Sequence, residues 1–448
     1  MNAQNHNHAD KKSRRGGRGA NETRRIAANM VAGITRGKTL DEMRDRLDAL
    51  DGADRNLADA IVQTSLRHYG EIKIHLAAHM KRALPVRPHI AHALLTIGAA
   101  QILYMNIPAH AAIHETVAAT GRREQPFRGL INAVLRKLAA AKEENDLAAT
   151  QAADNLPDWM RARFEAAYGA DGLAAICACH QESPALDVGF KNAGKAADWA
   201  AKNDALVMTP THVRRAQSGA VTKLEGYEDG DWFVQDVAAG LPTAWLLAAL
   251  AQDGESPKSV LDICAAPGGK TLQLAAAGHA VTALDMSANR MKRVRENLAR
   301  TKLSAETIIA DALDWQAGQK YDAVLLDAPC SASGTLRRHP DLVLNRREGY
   351  MAKLADMQAR LLARAAQWVK PGGLLCYAVC SLDPQEGEAQ ADAFLAQYDN
   401  FKILDGVALD TPDPDIMRGN YMRTTPAHAE AQGGMDGFFA ALFQKTGA

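Results

Sequence analysis

Val260-Leu-Asp-Ile-Cys-Ala-Ala-Pro-Gly-Gly-Lys-Thr271 is the stretch whose reading decides the fold. A short apolar run passes an acid, a Pro-Gly-Gly turn follows, and an alanine-rich segment from Leu272 to Ala277 has helical character. Strand, tight turn and helix start make a βα unit, which aims free backbone N–H groups at a ligand. The segments around it alternate. Strands are predicted at Val260–Ile263, Ala280–Asp285, Thr307–Ala310, Ala323–Asp327 and Leu374–Val379. Helices are predicted at Leu272–Ala277, Asn289–Thr301, Gly349–Val369 and Glu386–Tyr398. Such alternation predicts an α/β doubly wound, Rossmann-like domain that binds ligands at the carboxyl ends of its strands. Gly437-Phe-Phe-Ala-Ala-Leu-Phe443 reads as a final strand, antiparallel at the sheet end.

At 448 residues the chain is too long for one core, so it is read as multidomain. From Glu22 to Lys142 apolar residues recur at helical spacing, as in Ile26, Met30 and Ile34 or Ile131, Val134, Leu135 and Leu138. Leu94, Leu95, Ile97, Ile102 and Leu103 make one helix apolar nearly all round, hence buried. Pro85, Pro88 and Pro108 mark breaks. An all-α bundle is expected over 22–142, a polar linker over 143–157, a small α+β module over 158–236, and the α/β domain over 237–448. Residues 1–21, with Lys11, Lys12, Arg14, Arg15 and Arg18, read as a disordered basic tail able to bind phosphates. That start has no apolar core of a secretory signal, and no apolar run is long enough to span a bilayer. The six cysteines show no disulfide spacing, so a cytoplasmic protein without membrane contact is expected. His75 and His79 share a helix face but have no acidic or cysteine partners, and Cys177-x-Cys179 lacks a second pair. No metal is expected.

Two ligands compete for the glycine turn. Gly269-Lys270-Thr271 fits the end of a P-loop, but Cys264 stands where that pattern needs its first glycine, so a phosphate cradle would be incomplete. S-adenosylmethionine suits the acids better. Asp285 ends the second strand, where it can bridge two ribose hydroxyls, and Asp311 ends the third, where it can accept from an adenine amino group. Carboxylates at successive strand ends disfavour a polyphosphate and suit a cationic sulfonium. Cys264, Ala265, Ala266, Pro267, Gly268, Gly269 and Lys270 are therefore read as the cofactor cradle, completed by Asp285, Asp311 and Asp327.

Cysteines follow the three strands expected to lie side by side: Cys264, Cys330 and Cys380. Cys376, inside the last of those strands, reads as a small buried apolar residue. Two thiols and a carboxylate beside a methyl donor suit methylation at carbon 5 of a pyrimidine. That carbon is too weak a nucleophile until a thiolate adds at carbon 6. The adduct must later lose the carbon 5 proton and expel the thiol, a step that a second group assists.

Asp262–Thr271, Asp327-Ala-Pro-Cys-Ser331 with Ser333-Gly-Thr-Leu-Arg-Arg-His-Pro-Asp341, and Tyr377-Ala-Val-Cys-Ser-Leu-Asp-Pro384 with Glu386 and Glu388 resemble the RNA cytosine-5 methyltransferase family. The resemblance implies that Cys380 attacks carbon 6, Cys330 assists release and Asp327 handles N3. DNA cytosine-5 enzymes use the Pro-Cys cysteine as nucleophile, so the paired motifs point to RNA. Val379 departs from the family's usual Thr. Ile107-Pro-Ala-His-Ala-Ala-Ile-His-Glu-Thr-Val117 and Phe127-Arg-Gly-Leu-Ile-Asn-Ala-Val-Leu-Arg136 resemble the NusB-like RNA-binding domain. Joined to such a catalytic core, with Phe233-Val-Gln-Asp236 and Gly434-Met-Asp-Gly-Phe-Phe439, that domain is similar to bacterial enzymes acting on 16S ribosomal RNA. The implied partner is 16S rRNA, with a tRNA or 23S cytidine as the alternative target, and a monomer is expected. The chain departs from those enzymes at Gly189-Phe-Lys-Asn192, where an Arg before Val-Asn is usual. A target base must leave its stack to reach Cys380, so an unpaired nucleotide is expected. Arg337 and Arg338 are expected to hold flanking phosphates or to lie on a solvated face.

Overall fold

The structure, a computed structural model, describes residues 9–447 apart from 83, 86, 88, 217–220, 253, 255 and 256, and the side chains of 9–20 are also outside the description. The start of the basic tail and the break at Pro88 thus lie outside the described residues. The chain forms two compact units: one runs to Ala162 and includes His339–Arg346, the other holds Arg163–Arg338 and Arg347–Ala448.

The first unit is helical: α1 (Ala9–Ile34), α2 (Leu40–Arg44), α3 (Gly52–Arg67), α4 (Tyr69–Ala78), α5 (His89–Tyr104), α6 (Ala109–Ala118) and α7 (Arg128–Glu143). Helix α1 begins inside the stretch predicted to be a disordered tail. The all-round apolar segment became α5, which is buried among α1, α3, α4, α6 and α7. Residues 143–157, predicted to be a linker, include a packed 3-10 turn at Ala152–Asn155. The Asn155 carboxamide oxygen accepts from the backbone N–H groups of Gly70 and Glu71 at 3.0 and 3.1 Å, holding that turn against α4. His339–Arg346 is held here by Asp341, whose buried carboxylate accepts from the Leu40 N–H at 2.9 Å.

The second unit opens with α8 (Asp158–Gln181), which enters it at Arg163. An antiparallel sheet follows, made of β1 (Leu186–Phe190), β2 (Leu206–Thr209), β3 (His212–Arg215) and β4 (Trp232–Val234) in the order β2-β3-β1-β4. Helix α9 (Ala193–Lys202) covers it through Trp199, which packs edge-on against Trp232. Next come α10 (Val237–Ala251), β5 (Ser259–Ile263), α11 (Gly269–Ala276), β6 (Ala280–Asp285), α12 (Ala288–Thr301), β7 (Glu306–Ile309), β8 (Tyr321–Asp327) and β9 (Val369–Val379). The last strands are β10 (Phe401–Ile403), β11 (Met417–Arg418), β12 (Tyr421–Arg423) and β13 (Phe439–Lys445).

The large sheet runs β11-β12-β13-β9-β8-β5-β6-β7, with β10 also on β13. Its β9-β8-β5-β6-β7 part is parallel. Neighbouring residues of β5, β8 and β9 point to opposite faces and are buried on both. Leu261, Ile263, Val324, Leu326, Leu375 and Tyr377 meet one apolar layer, and Val260, Ala323, Leu325, Leu374, Cys376 and Ala378 meet the other. Burial on both faces is why these strands read as unbroken apolar runs. The final strand is antiparallel to β9 as predicted, but β12 and β11 extend the sheet beyond it, so it is not the edge. Its run from Phe439 to Phe443 is fully buried, a composition that suits an interior strand.

Candidate active site

The turn after β5 takes its shape from the backbone. Cys264 has φ +60° and Gly268 φ +106°, and the Ala266–Pro267 peptide is cis. A side chain at residue 268 would be strained at that φ and would press Val294, its added Cβ lying 3.2 Å from a Val294 methyl. Ala265 donates its N–H to the Leu284 carbonyl at 3.1 Å, tying the turn to β6. The Asp285 carboxylate accepts from Ala266 N–H at 3.2 Å and from Ser287 N–H at 2.8 Å. Asp285 is therefore a structural brace of the turn, and the Arg290 guanidinium lies 3.6 Å from the same carboxylate. Asp311 is exposed and accepts from the Leu313 N–H at 2.9 Å, starting the turn after β7.

Because β5, β8 and β9 are neighbours, their carboxyl ends share one rim. Cys330 and Cys380 face each other there, with sulfurs 3.4 Å apart. The hydrogen bond that Cys330 donates to Cys380, burial and the nearby Cys380 and Glu386 charges push the Cys330 thiol well above its ordinary pKa, so Cys330 holds its proton. Cys264 is kept out of this pair. Burial, then Asp327 and Asp285, push its thiol up as well, which argues against a nucleophile at the helix start. Cys376 is fully buried, its thiol pushed up to about 12 by burial, and it acts as core.

Lys270 belongs as much to this rim as to the turn. Its buried ammonium sits 2.8 Å from Asp327 Oδ2 and 5.1 Å from the centre of the Phe438 ring. Burial disfavours that charge, but Asp327, Asp262 and Cys380 together outweigh it, so its pKa rises. One strand position back lies Asp262, fully buried, accepting from the Thr271 hydroxyl at 2.6 Å. Its other oxygen accepts no hydrogen bond among the described residues. Burial raises its pKa to about 7 against the pull of Thr271 and Lys270.

Arg337 is buried in ion pairs, not on a solvated face, and Arg338 is half-buried beside it. Arg337 pairs with Asp236 at 3.0 Å and Asp436 at 2.8 Å, all three buried, and Arg338 binds the same two acids. Burial works against the Asp236 charge, but the two guanidinium groups outweigh it and hold that carboxyl well below its ordinary range. The cluster ties Asp236, at the start of α10, to the loop before β13, and Arg337 also donates to the Gly433 carbonyl at 2.9 Å. Gly334 then meets Gly437, whose N–H donates to the Gly334 carbonyl at 2.8 Å; a Cβ on Gly334 would lie 1.8 Å from the Gly437 oxygen.

Sequence reasoning named Glu386 within a motif but gave it no role. Glu386, buried at 1% exposure, accepts from the hydroxyls of both Ser331 and Ser381 at 2.5 Å. The sequence signals are its place in the motif after Cys380 and the serine that follows each of the paired cysteines.

A family model described as 16S rRNA methyltransferase RsmB/F matches residues 248–444, and the NusB family model matches residues 21–140. A Vibrio cholerae protein named Ribosomal RNA small subunit methyltransferase B is 34% identical over 408 residues, covering 88% of this chain and 90% of that protein. One of the same name from Pseudomonas putida is 34% identical over 447 residues, covering 95% and 99%. The crystal structure of PH0851 has the same fold, with a TM-score of 0.72 at 23% identity over 94% of this chain and 99% of that one. NSun6 from Pyrococcus horikoshii, solved with SFG, gives a TM-score of 0.53 at 17% identity over 65% of this chain and 99% of its own.

Proposed function

Because the chain belongs to the 16S rRNA methyltransferase RsmB/F family, we propose that it methylates carbon 5 of a cytidine in 16S ribosomal RNA through a covalent Cys380 adduct. The observation that carries this reading is the Cys330–Cys380 pair, 3.4 Å apart, at the rim where Lys270 and Asp327 meet. S-adenosylmethionine, when bound, supplies an electrophilic methyl group. The residues present fit such a group: Asp285 ends β6 where ribose hydroxyls would lie, and Asp311 is exposed for the adenine. Asp327 and Lys270 close the cradle on the rim side.

Cys380 Sγ forms a bond to carbon 6 of the base, which places negative charge toward N3. Asp327, 2.8 Å from the Lys270 ammonium, is assigned to deliver the proton that neutralises N3 as the Cys380 thiolate adds. After carbon 5 has taken the methyl group, its proton passes to water, the C–H electron pair restores the C5–C6 double bond, and the C6–S bond to Cys380 breaks. Cys330 holds its proton and donates a hydrogen bond to the departing sulfur. The helical unit matched by the NusB family is assigned to RNA contact, in a cytoplasmic monomer.

The test is a pair of variants. Cys380→Ala is expected to abolish both turnover and the protein–RNA adduct, whereas Cys330→Ala accumulates the adduct on denaturing gels. The opposite pattern would overturn the assignment of roles. Bisulfite sequencing of total RNA from a deletion strain decides between 16S rRNA and a tRNA or 23S cytidine.

A further inference from the structure

We infer that Glu386 is a positioning residue that sets the two reactive thiols against each other, an inference resting on the functional reading above. Its Oε2 accepts from Ser331 Oγ and from Ser381 Oγ, each at 2.5 Å. Its Oε1 accepts from the Ser331 N–H at 2.9 Å and from Gln358 Nε2 at 3.0 Å. Ser331 directly follows Cys330, and Ser381 directly follows Cys380. One buried carboxylate therefore grips the next residue after each thiol, and four accepted bonds fill its lone-pair sites.

The neighbours keep Glu386 from moving. Tyr377 donates its hydroxyl to the Glu386 carbonyl at 2.6 Å, and Gln358 Nε2 also bonds the Pro329 carbonyl at 2.9 Å, just before Cys330. Ser333 Oγ lies 3.0 Å from Ser331 Oγ and 3.2 Å from Ser381 Oγ, and it accepts from the Leu382 N–H at 3.0 Å. Gly334 N–H donates to the Cys380 carbonyl at 3.1 Å. The loops after β8 and β9 are thus laced through side chains, and Glu386 is the charged centre of the lacing. Charge-assisted bonds in a dry site are the strong ones, and they fix angle as well as distance. Glu386 contributes no atom to the reaction. It holds one sulfur where carbon 6 arrives and the other where the first must leave.

Each serine controls one thiol, which gives the two serines opposite signatures. Ser381→Ala is expected to slow adduct formation with 16S rRNA transcript roughly tenfold or more, the scale of a hydrogen bond lost to a charged group. Ser331→Ala is expected to leave formation near wild type and raise the steady-state adduct several-fold, by slowing release. Glu386→Gln, which puts an amide N–H₂ among four donors, is expected to impair both steps while S-adenosylmethionine affinity by calorimetry stays within about twofold. A purely structural role would slow both steps alike in both serine variants, in proportion to a fall in melting temperature, and that result overturns the proposal. Cys380→Ala and Cys330→Ala run beside them. If those controls fail to abolish and accumulate the adduct, the functional reading falls; if they behave and the serines do not split, only the role of Glu386 falls.

Discussion

The turn after β5 and the thiol rim lie at the same end of one sheet, yet they are built by different means. The turn is a matter of backbone: a cysteine and a glycine at positive φ, and N–H groups spoken for within a few residues or by the adjacent strand. The rim is a matter of side chains drawn from distant parts of the chain, with Glu386 joining Ser331 to Ser381 and Arg337 joining Asp236 to Asp436. A backbone site tolerates change wherever the dihedral angles survive. A side-chain site fails when any one partner is lost, because the others remain buried and unpaired.

That contrast can be broken experimentally. The largest effect is expected at the rim: Arg337→Ala leaves two buried acids with only Arg338, and should cost about 3 kcal/mol or more in urea unfolding. It should suppress adduct formation while sparing cofactor binding; equal losses in both would show that turn and rim are not independent. Next comes Asp262, whose folded pKa, raised from 3.8 to about 7, favours the protonated native state. Its stabilising contribution is full below pH 4 and disappears as pH rises through 7. Asp262→Asn should therefore gain stability relative to wild type on going from pH 4 to pH 8, by about 4 kcal/mol at most. Melting curves of the two proteins that stay parallel across that range would exclude the shift. The smallest effect is expected for Gly268→Ala, about 1–3 kcal/mol from strain at φ +106°. It should weaken S-adenosylmethionine binding in calorimetry and leave any adduct formed by Cys330→Ala intact.

The same contrast explains what could be read from the sequence. The turn announces itself because Asp262 to Thr271 are contiguous and few residue types accept its dihedral angles. The order of β5, β8 and β9, and with it the meeting of Cys330 and Cys380, follows from βα alternation. Glu386 was quoted in its motif without a role, because a glutamate soon after a proline reads as the charged start of a helix, and its partner Ser331 is 55 positions away. Arg337 and Arg338 read as phosphate holders or a solvated face for the same reason, since their acids lie about 100 positions off on either side. Lys270 was assigned to the cofactor alone because its reach to Asp327 crosses from one strand end to the next. Pairings across the sheet have no period for a sequence to display.

The place of β13 has a consequence for how the catalytic half is made. The strand that carries Cys380 on its end, β9, has β8 on one side and β13 on the other. During synthesis its second side stays an unpaired edge until Phe439–Lys445 has left the ribosome, an interval of seconds at roughly 5–20 residues per second. Gly437, which closes on Gly334, arrives with the same segment. The nascent chain thus presents an apolar pairing edge beside an unformed rim, a state that invites another strand. The reactive pair takes its final form only once β13 has paired with β9, so a pairing far along the chain from Cys380 completes the setting of its thiol.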